Sequence, residues 1–203
     1  MKKVAVLLII IAAVWVGIPL FSSGPDIKNP DPAGRNIICF GDSLTYGTGA
    51  SEGMDYPSRL ADMVDAPVIN AGVPGDTTAD ALARLEQDVL SRNPKMVLIT
   101  LGGNDLKNGV DRERAFDNLR IIVEAIQGAG ALVVIGGVDI PFYGRGFGDA
   151  YRELAAETGS VIIPNVFDDI MGKPSRMSDR IHPNDAGYAI MARRFYGAIG
   201  PYL

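Results

Sequence analysis

The chain is poor in the side chains that most often carry chemistry. It has one cysteine, Cys39, and one histidine, His182. A single cysteine excludes an internal disulfide and a cysteine-ligated zinc site. A single histidine means that any imidazole chemistry has to pass through residue 182. Basic residues are also short: 19 Lys and Arg face 24 Asp and Glu, for a net charge of -5, and the two signs are interspersed. A surface that tracks a phosphate backbone concentrates Lys and Arg into a patch or stripe, so no nucleic-acid partner is expected. No GK[ST] phosphate loop occurs, and the glycine-rich stretch "GTGASEG" (47–53) places Glu52 where a dinucleotide loop needs its third glycine. No internal repeat is evident, and neither a cofactor nor a metal is expected.

What is present divides into two materials. Lys2 and Lys3 precede an apolar run over residues 4–21, which reads as an export signal or a retained membrane anchor, without a clean A-x-A cleavage site. Its positive flank places the amino end inside and the remainder outside, giving a periplasmic or extracytoplasmic location. Residues 1–22 are therefore assigned to the signal or anchor. Residues 23–35, with Pro25, Pro30, Pro32, Gly24 and Gly34, read as an extended linker, and residues 36–203 as one folded domain. With 203 residues, 47% of them hydrophobic, the chain suits one well-cored α/β domain.

Within that domain, short apolar runs recur at 37–40, 68–70, 96–101, 132–135 and 161–163, spaced widely enough for a helix between each. Helices fit 57–64, 78–90, 149–157 and 184–198. Ala115, Leu119, Ile122, Val123 and Ile126 form one apolar stripe at helical steps. Strands without polar alternation are buried on both faces, and right-handed crossovers then give a parallel sheet between two helix layers. In such a sheet the functional groups gather at the carboxyl ends of the strands. "GDSL" (41–44), "NAGVPGDTT" (70–78), "GGND" (102–105) and "GGVDIPFYGRGFG" (136–148) fall on that rim, and "DRIHPND" (179–185) precedes the last helix.

A serine hydroxyl becomes a nucleophile when a neighbouring base takes its proton and a third group holds that base in one tautomer. Ser43 offers the hydroxyl, His182 is the one imidazole, and Asp179 lies three residues before it. Donors for the developing oxyanion are the N–H groups of Ser43 and Gly75 and the side-chain amide of Asn104. Each piece alone has an ordinary structural reading: a cap, a core histidine, a turn, a loop. Their joint placement at the strand ends of one sheet is what points to catalysis. Asp42, Asp76 and Asp105 read as loop and cap residues, and Cys39 as an apolar filler. Phe142, Tyr143 and Phe147 are candidates either for an acyl pocket or for an aromatic cover over the core.

On "FGDSLTYG", "GVPGDTT", "LGGND" and "DRIHPN", the chain resembles the SGNH, or GDSL, hydrolases. Among them it is similar to the small bacterial periplasmic acyl hydrolases with thioesterase, arylesterase and lysophospholipase activities. The likeness runs from Ile37 to the carboxyl end. It implies a three-layer α/β/α, flavodoxin-like fold with a five-stranded parallel sheet. It also implies a metal-free serine esterase acting on acyl esters or thioesters, with Ser43, Asp179 and His182 catalytic and Ser43, Gly75 and Asn104 at the oxyanion. The ordinary α/β-hydrolase elbow, G-x-S-x-G, fails because Thr45 takes the place of its last glycine. Two other readings stay open: a carbohydrate O-acetyl esterase, and a membrane-tethered binding module that has lost the chemistry.

Overall fold

The computed structural model describes residues 26–140, 144 and 146–203. The apolar run 4–21 and the pair Phe142 and Tyr143 lie outside the described residues. Five parallel strands, β1 (Asn36–Gly41), β2 (Val68–Gly72), β3 (Pro94–Thr100), β4 (Leu132–Gly136) and β5 (Val161–Ile163), form one sheet in the order β2-β1-β3-β4-β5. Ile37, Ile38, Cys39 and Phe40 of β1, with Val97 and Leu98 of β3 and Val133 and Val134 of β4, have no solvent exposure. That is why these strands are continuous apolar runs: helices cover both faces of the sheet.

Two helices, α1 (Ser43–Tyr46) and α2 (Tyr56–Ala61), separate β1 from β2, and α3 (Thr78–Asp88) separates β2 from β3. The helices α4 (Gly103–Asn108) and α5 (Arg112–Gly128) follow β3, α6 (Phe147–Thr158) follows β4, and α7 (Asp185–Ile199) closes the chain before a final short turn. On one side α2 meets α7 through the stacked rings of Tyr56 and Phe195, 4.8 Å between centroids. On the other, α5 meets α6 through Phe116, whose ring lies edge-on to Phe147 and Tyr151 at 5.3 and 4.9 Å. Phe147 is 2% exposed and belongs to this core, not to a pocket wall.

The five strands and the helices α2, α3, α5, α6 and α7 fall where the apolar pattern places them, within a few residues. The helices α1 and α4 do not. "GGND", expected as a loop, opens α4, and "SLTY" forms α1. Both are too short to show a 3.6-residue period. The segment 26–35, part of the stretch read as a linker, lies against the domain. Lys28 N–H donates to the Gly159 carbonyl at 2.8 Å. Asn29, at φ 56°, donates its amide to the carbonyls of Gln127 and Ala131, both at 2.9 Å. These carbonyls belong to the end of α5 and the turn after it, and the Gln127 carbonyl also accepts the Gly130 N–H at 3.0 Å.

The register of the sheet sets the position of the site. Gly41 pairs with Gly72 of β2 and with Thr100 of β3, so three strands stop at the same level and release their loops together. Because β2 and β3 lie on opposite sides of β1, successive connections diverge there and leave a crevice above the strand ends.

Candidate active site

The first loop turns tightly because Asp42 caps the helix that follows it. The Asp42 carboxylate accepts the Leu44 N–H at 3.0 Å, and Ser43 is the first helical residue. The serine is therefore not itself the cap. Beneath it, Thr45 hydrogen-bonds Tyr56 and Thr100, which anchors α1 to the end of β3. A side chain at Gly41 would collide with Thr45 and Thr100, so the close approach depends on glycine.

His182 reaches the same place from the carboxyl-terminal side. Its carbonyl accepts the Ser178 N–H at 2.9 Å, which closes the turn 178–182. Tyr188 of α7 donates its hydroxyl to the Thr48 carbonyl at 2.9 Å, and Asp185 accepts the Ser51 N–H at 2.7 Å. Both bonds dock the start of α7 onto the loop that follows Ser43. The outcome is a 3.0 Å contact between Ser43 Oγ and His182 Nε2, across 139 residues of chain.

Asp179 orients the ring. One carboxylate oxygen, Oδ1, accepts the N–H groups of Ile181 and His182, each at 2.7 Å, and Oδ2 lies 2.8 Å from His182 Nδ1. An ionised carboxylate at Nδ1 selects the tautomer protonated there and leaves Nε2 as the acceptor facing the serine. Hydrogen bonds from the imidazole and the two amides stabilise the charged form of Asp179 and lower its pKa to about 2. The acid is nonetheless more than half exposed, so solvent screens part of its pull.

Asn104, near the start of α4, spans the other two loops. Its amide donates to the Asp76 carbonyl at 2.9 Å and to Asp42 Oδ2 at 3.2 Å. It thereby touches the residue after Gly75 and the residue before Ser43. Gly75 sits at φ 94°, where L side chains are strained, and a Cβ there would meet no atom within 4 Å. The glycine is thus demanded by the backbone angle and not by crowding. Among the described residues, neither the Ser43 nor the Gly75 N–H is spent on a hydrogen bond. Asp105 holds the two loops together: its carboxylate accepts both the N–H and the hydroxyl of Thr78, at 2.9 and 2.7 Å.

Asp42 is 4% exposed, and burial raises its pKa to about 6, against the opposing pull of the Leu44 N–H and the His182 ring. It faces Asn104 and not the outer nitrogen of the imidazole, so Asp179 alone orients the ring. Beyond Asp179 a hollow of about 470 Å³ is lined by Met171, Pro174, Met177 and Arg180, among others. Among the described residues no group of three or more His, Cys, Asp or Glu is placed to hold a metal ion.

A hydroxyl, an imidazole and a carboxylate in series, next to a carboxamide and two free N–H groups, form an arrangement suited to acyl transfer. Comparison with known proteins agrees. The model of the GDSL-like Lipase/Acylhydrolase family matches residues 39–190. The chain is a GDSL-like acylhydrolase. It is 32% identical to the "Thioesterase 1/protease 1/lysophospholipase L1" of Escherichia coli (strain K12), over 75% of this chain and 77% of that one. It is 33% identical to the arylesterase of Vibrio mimicus, over 74% and 81% of the two chains. The crystal structure of TesA superposes with a TM-score of 0.78 at 28% identity, covering 83% of this chain and all of that one. This acylhydrolase is accordingly an enzyme that hydrolyses ester bonds of small-molecule substrates.

All five residues singled out from the sequence, Ser43, Gly75, Asn104, Asp179 and His182, gather at this crevice. Sequence reasoning missed Ser178, Tyr188 and Arg84. Tyr188 and Arg84 reach main-chain carbonyls 140 and 43 residues away, which leaves no local pattern to read, and Ser178 bonds the His182 carbonyl within a turn too short to show a period.

Proposed function

We propose that Ser43 is the nucleophile, His182 its base and Asp179 the group that orients that base, and that the substrates are carboxylic esters and thioesters of apolar acyl groups. The observation that carries this reading is the unbroken series Asp179–His182–Ser43, at 2.8 and 3.0 Å. Ser43 Oγ bonds to the carbonyl carbon while its proton passes to His182 Nε2, and the carbonyl electron pair moves onto oxygen. The N–H groups of Ser43 and Gly75 and the amide of Asn104 receive that charge. The imidazolium then protonates the leaving alkoxide or thiolate, and an acyl-serine remains. Water, deprotonated by the same imidazole, releases the acid and restores the serine.

Before substrate binds, both Asn104 amide bonds have protein acceptors. The longer one, 3.2 Å to Asp42 Oδ2, is the bond for which an oxyanion competes. Catalytic hydrogen bonds in empty enzymes commonly tighten only in the reacting complex. Exposed apolar side chains near the site residues in sequence support an apolar acyl preference: Tyr46, Val73 and Ile181 lie within three residues of them and are 58%, 40% and 47% exposed. Lys2, Lys3 and the apolar run 4–21 support export from the cytoplasm.

The test is hydrolysis of p-nitrophenyl esters from acetyl to palmitoyl, and of acyl-CoA, by residues 26–203 and by the Ser43→Ala variant. Wild-type protein should turn over butyryl and longer esters and bind one fluorophosphonate per chain, and Ser43→Ala should do neither. Labelling that persists in Ser43→Ala removes Ser43 from the mechanism. Turnover confined to acetyl esters favours the carbohydrate O-acetyl esterase reading instead.

A further inference from the structure

Arg84 projects from the middle of α3, and no step of the mechanism uses it. Its side chain is 16% exposed and four hydrogen bonds engage its guanidinium. Nε donates to Asp76 Oδ2 at 2.6 Å, and Nη2 to the Gly41 carbonyl at 2.9 Å. Nη1 donates to the Ala71 carbonyl and to Asp88 Oδ2, both at 3.0 Å. The guanidinium also lies over the Phe40 ring, 4.5 Å from its centroid. A helix arginine engaged only with Asp76 and Asp88 is an ordinary ion pair. Two main-chain carbonyls, at the ends of two different strands, set this one apart.

The bonds close a circuit. Arg84 joins the Gly41 carbonyl to the Asp76 carboxylate, and the Asp76 carbonyl accepts the Asn104 amide. That amide donates in turn to Asp42, the residue after Gly41. Ser43 follows Asp42 and Gly75 precedes Asp76, so the two unspent N–H groups lie on this ring. Val73 N–H shares the Gly41 carbonyl at 3.0 Å and ties the Gly75 turn to it a second time. β2 is an edge strand, so nothing beyond it in the sheet fixes its carboxyl end.

We infer that Arg84 is a positioning residue of the oxyanion hole, clamping the Gly75 turn to the strand end that carries Ser43. The inference rests on the proposed roles of Gly75 and Asn104. A planar fork reaches several acceptors in one plane; an ammonium on a flexible stem does not reproduce that. Small displacements of catalytic groups cost up to about 100-fold in rate.

The experiment measures kcat and KM for p-nitrophenyl butyrate, per fluorophosphonate-titrated site, in Arg84→Lys, Asn104→Ala and the double variant. Arg84→Lys should lower kcat by about 10- to 100-fold with KM within about two-fold. In the Asn104→Ala background the same change should cost less than about three-fold, because groups that act through one site are not additive. The pH dependence of kcat/KM should not move, since Asp179 and His182 are untouched. An unchanged kcat in Arg84→Lys, even with a lower Tm, overturns the clamp, as do equal losses in both backgrounds. If Arg84→Lys does not fold, Asp76→Asn takes its place. It keeps the two carbonyl bonds and loosens only the turn, and an unaltered kcat there is equally decisive against the clamp. Wild-type turnover in Asn104→Ala alone refutes the donor assignment. A crippled Asn104→Ala beside a fully active Arg84→Lys refutes the clamp only.

Discussion

Replacing Asn104 with alanine separates what its amide does for the reaction from what it does for the fold. Loss of one oxyanion donor typically removes about 3 to 4 kcal/mol of transition-state stabilisation, or roughly two to three decades of kcat. The same truncation leaves two acceptors without their donor, the Asp76 carbonyl and one oxygen of the buried Asp42 carboxylate. An orphaned buried acceptor costs about 1 to 3 kcal/mol, and for a domain of this size each kcal/mol moves Tm by about 2 to 4 °C. The expected result is a fall in kcat of about 100- to 1,000-fold with KM little changed, and a Tm lower by roughly 4 to 24 °C. Turnover of p-nitrophenyl butyrate per titrated site, together with thermal unfolding by circular dichroism, reads both. A Tm drop with turnover within a few-fold of wild type would show that Asn104 only fastens the loops, and the oxyanion reasoning would be wrong.

Gly75→Ala should cost about 1 to 2 kcal/mol through its φ of 94° alone, since no atom stands within 4 Å of the added methyl. Relaxation of the turn should lower kcat by about 10-fold or more, and an unchanged kcat at reduced Tm would exclude its N–H as a donor. The buried Asp42 gives a pH signature. Its folded pKa of about 6 lies above the ordinary 3.8, so the native state binds the extra proton between these values and stability falls as pH rises from about 4 to about 6. Asp42→Asn lacks this titration. Wild type should therefore gain on the variant by roughly 2 kcal/mol as pH drops from 7 to 4, measured by denaturant unfolding. A gap independent of pH contradicts the buried-acid argument. Asp179, lowered to about 2 by its hydrogen bonds, is present in both proteins, so the stability that it loses as pH falls below about 5 cancels in this comparison.

Much of this molecule was readable along the chain. Runs such as 132–135 have no polar alternation because both faces of their strand are covered, and the stripe Ala115–Leu119–Ile122–Ile126 is the core face of α5. Single occurrence did the rest. With one imidazole in the sequence, any imidazole base had to be His182, and the carboxylate three positions earlier reaches it through a local turn. What escaped was too short for a period, as with α1 and α4, and for Phe147 burial decided between the pocket and the core, the two readings that the sequence left open. Residue types, periodicity and local turns are properties of neighbours in sequence, and they determined which groups were available to react and which segments became strands. That Gly41, Gly72 and Thr100 end level, that Asn104 bridges two loops, and that Arg84 reaches back 43 residues to a strand-end carbonyl were decided by sheet register and helix packing. Those contacts join segments far apart along the chain, and their energy exists only once the core has formed.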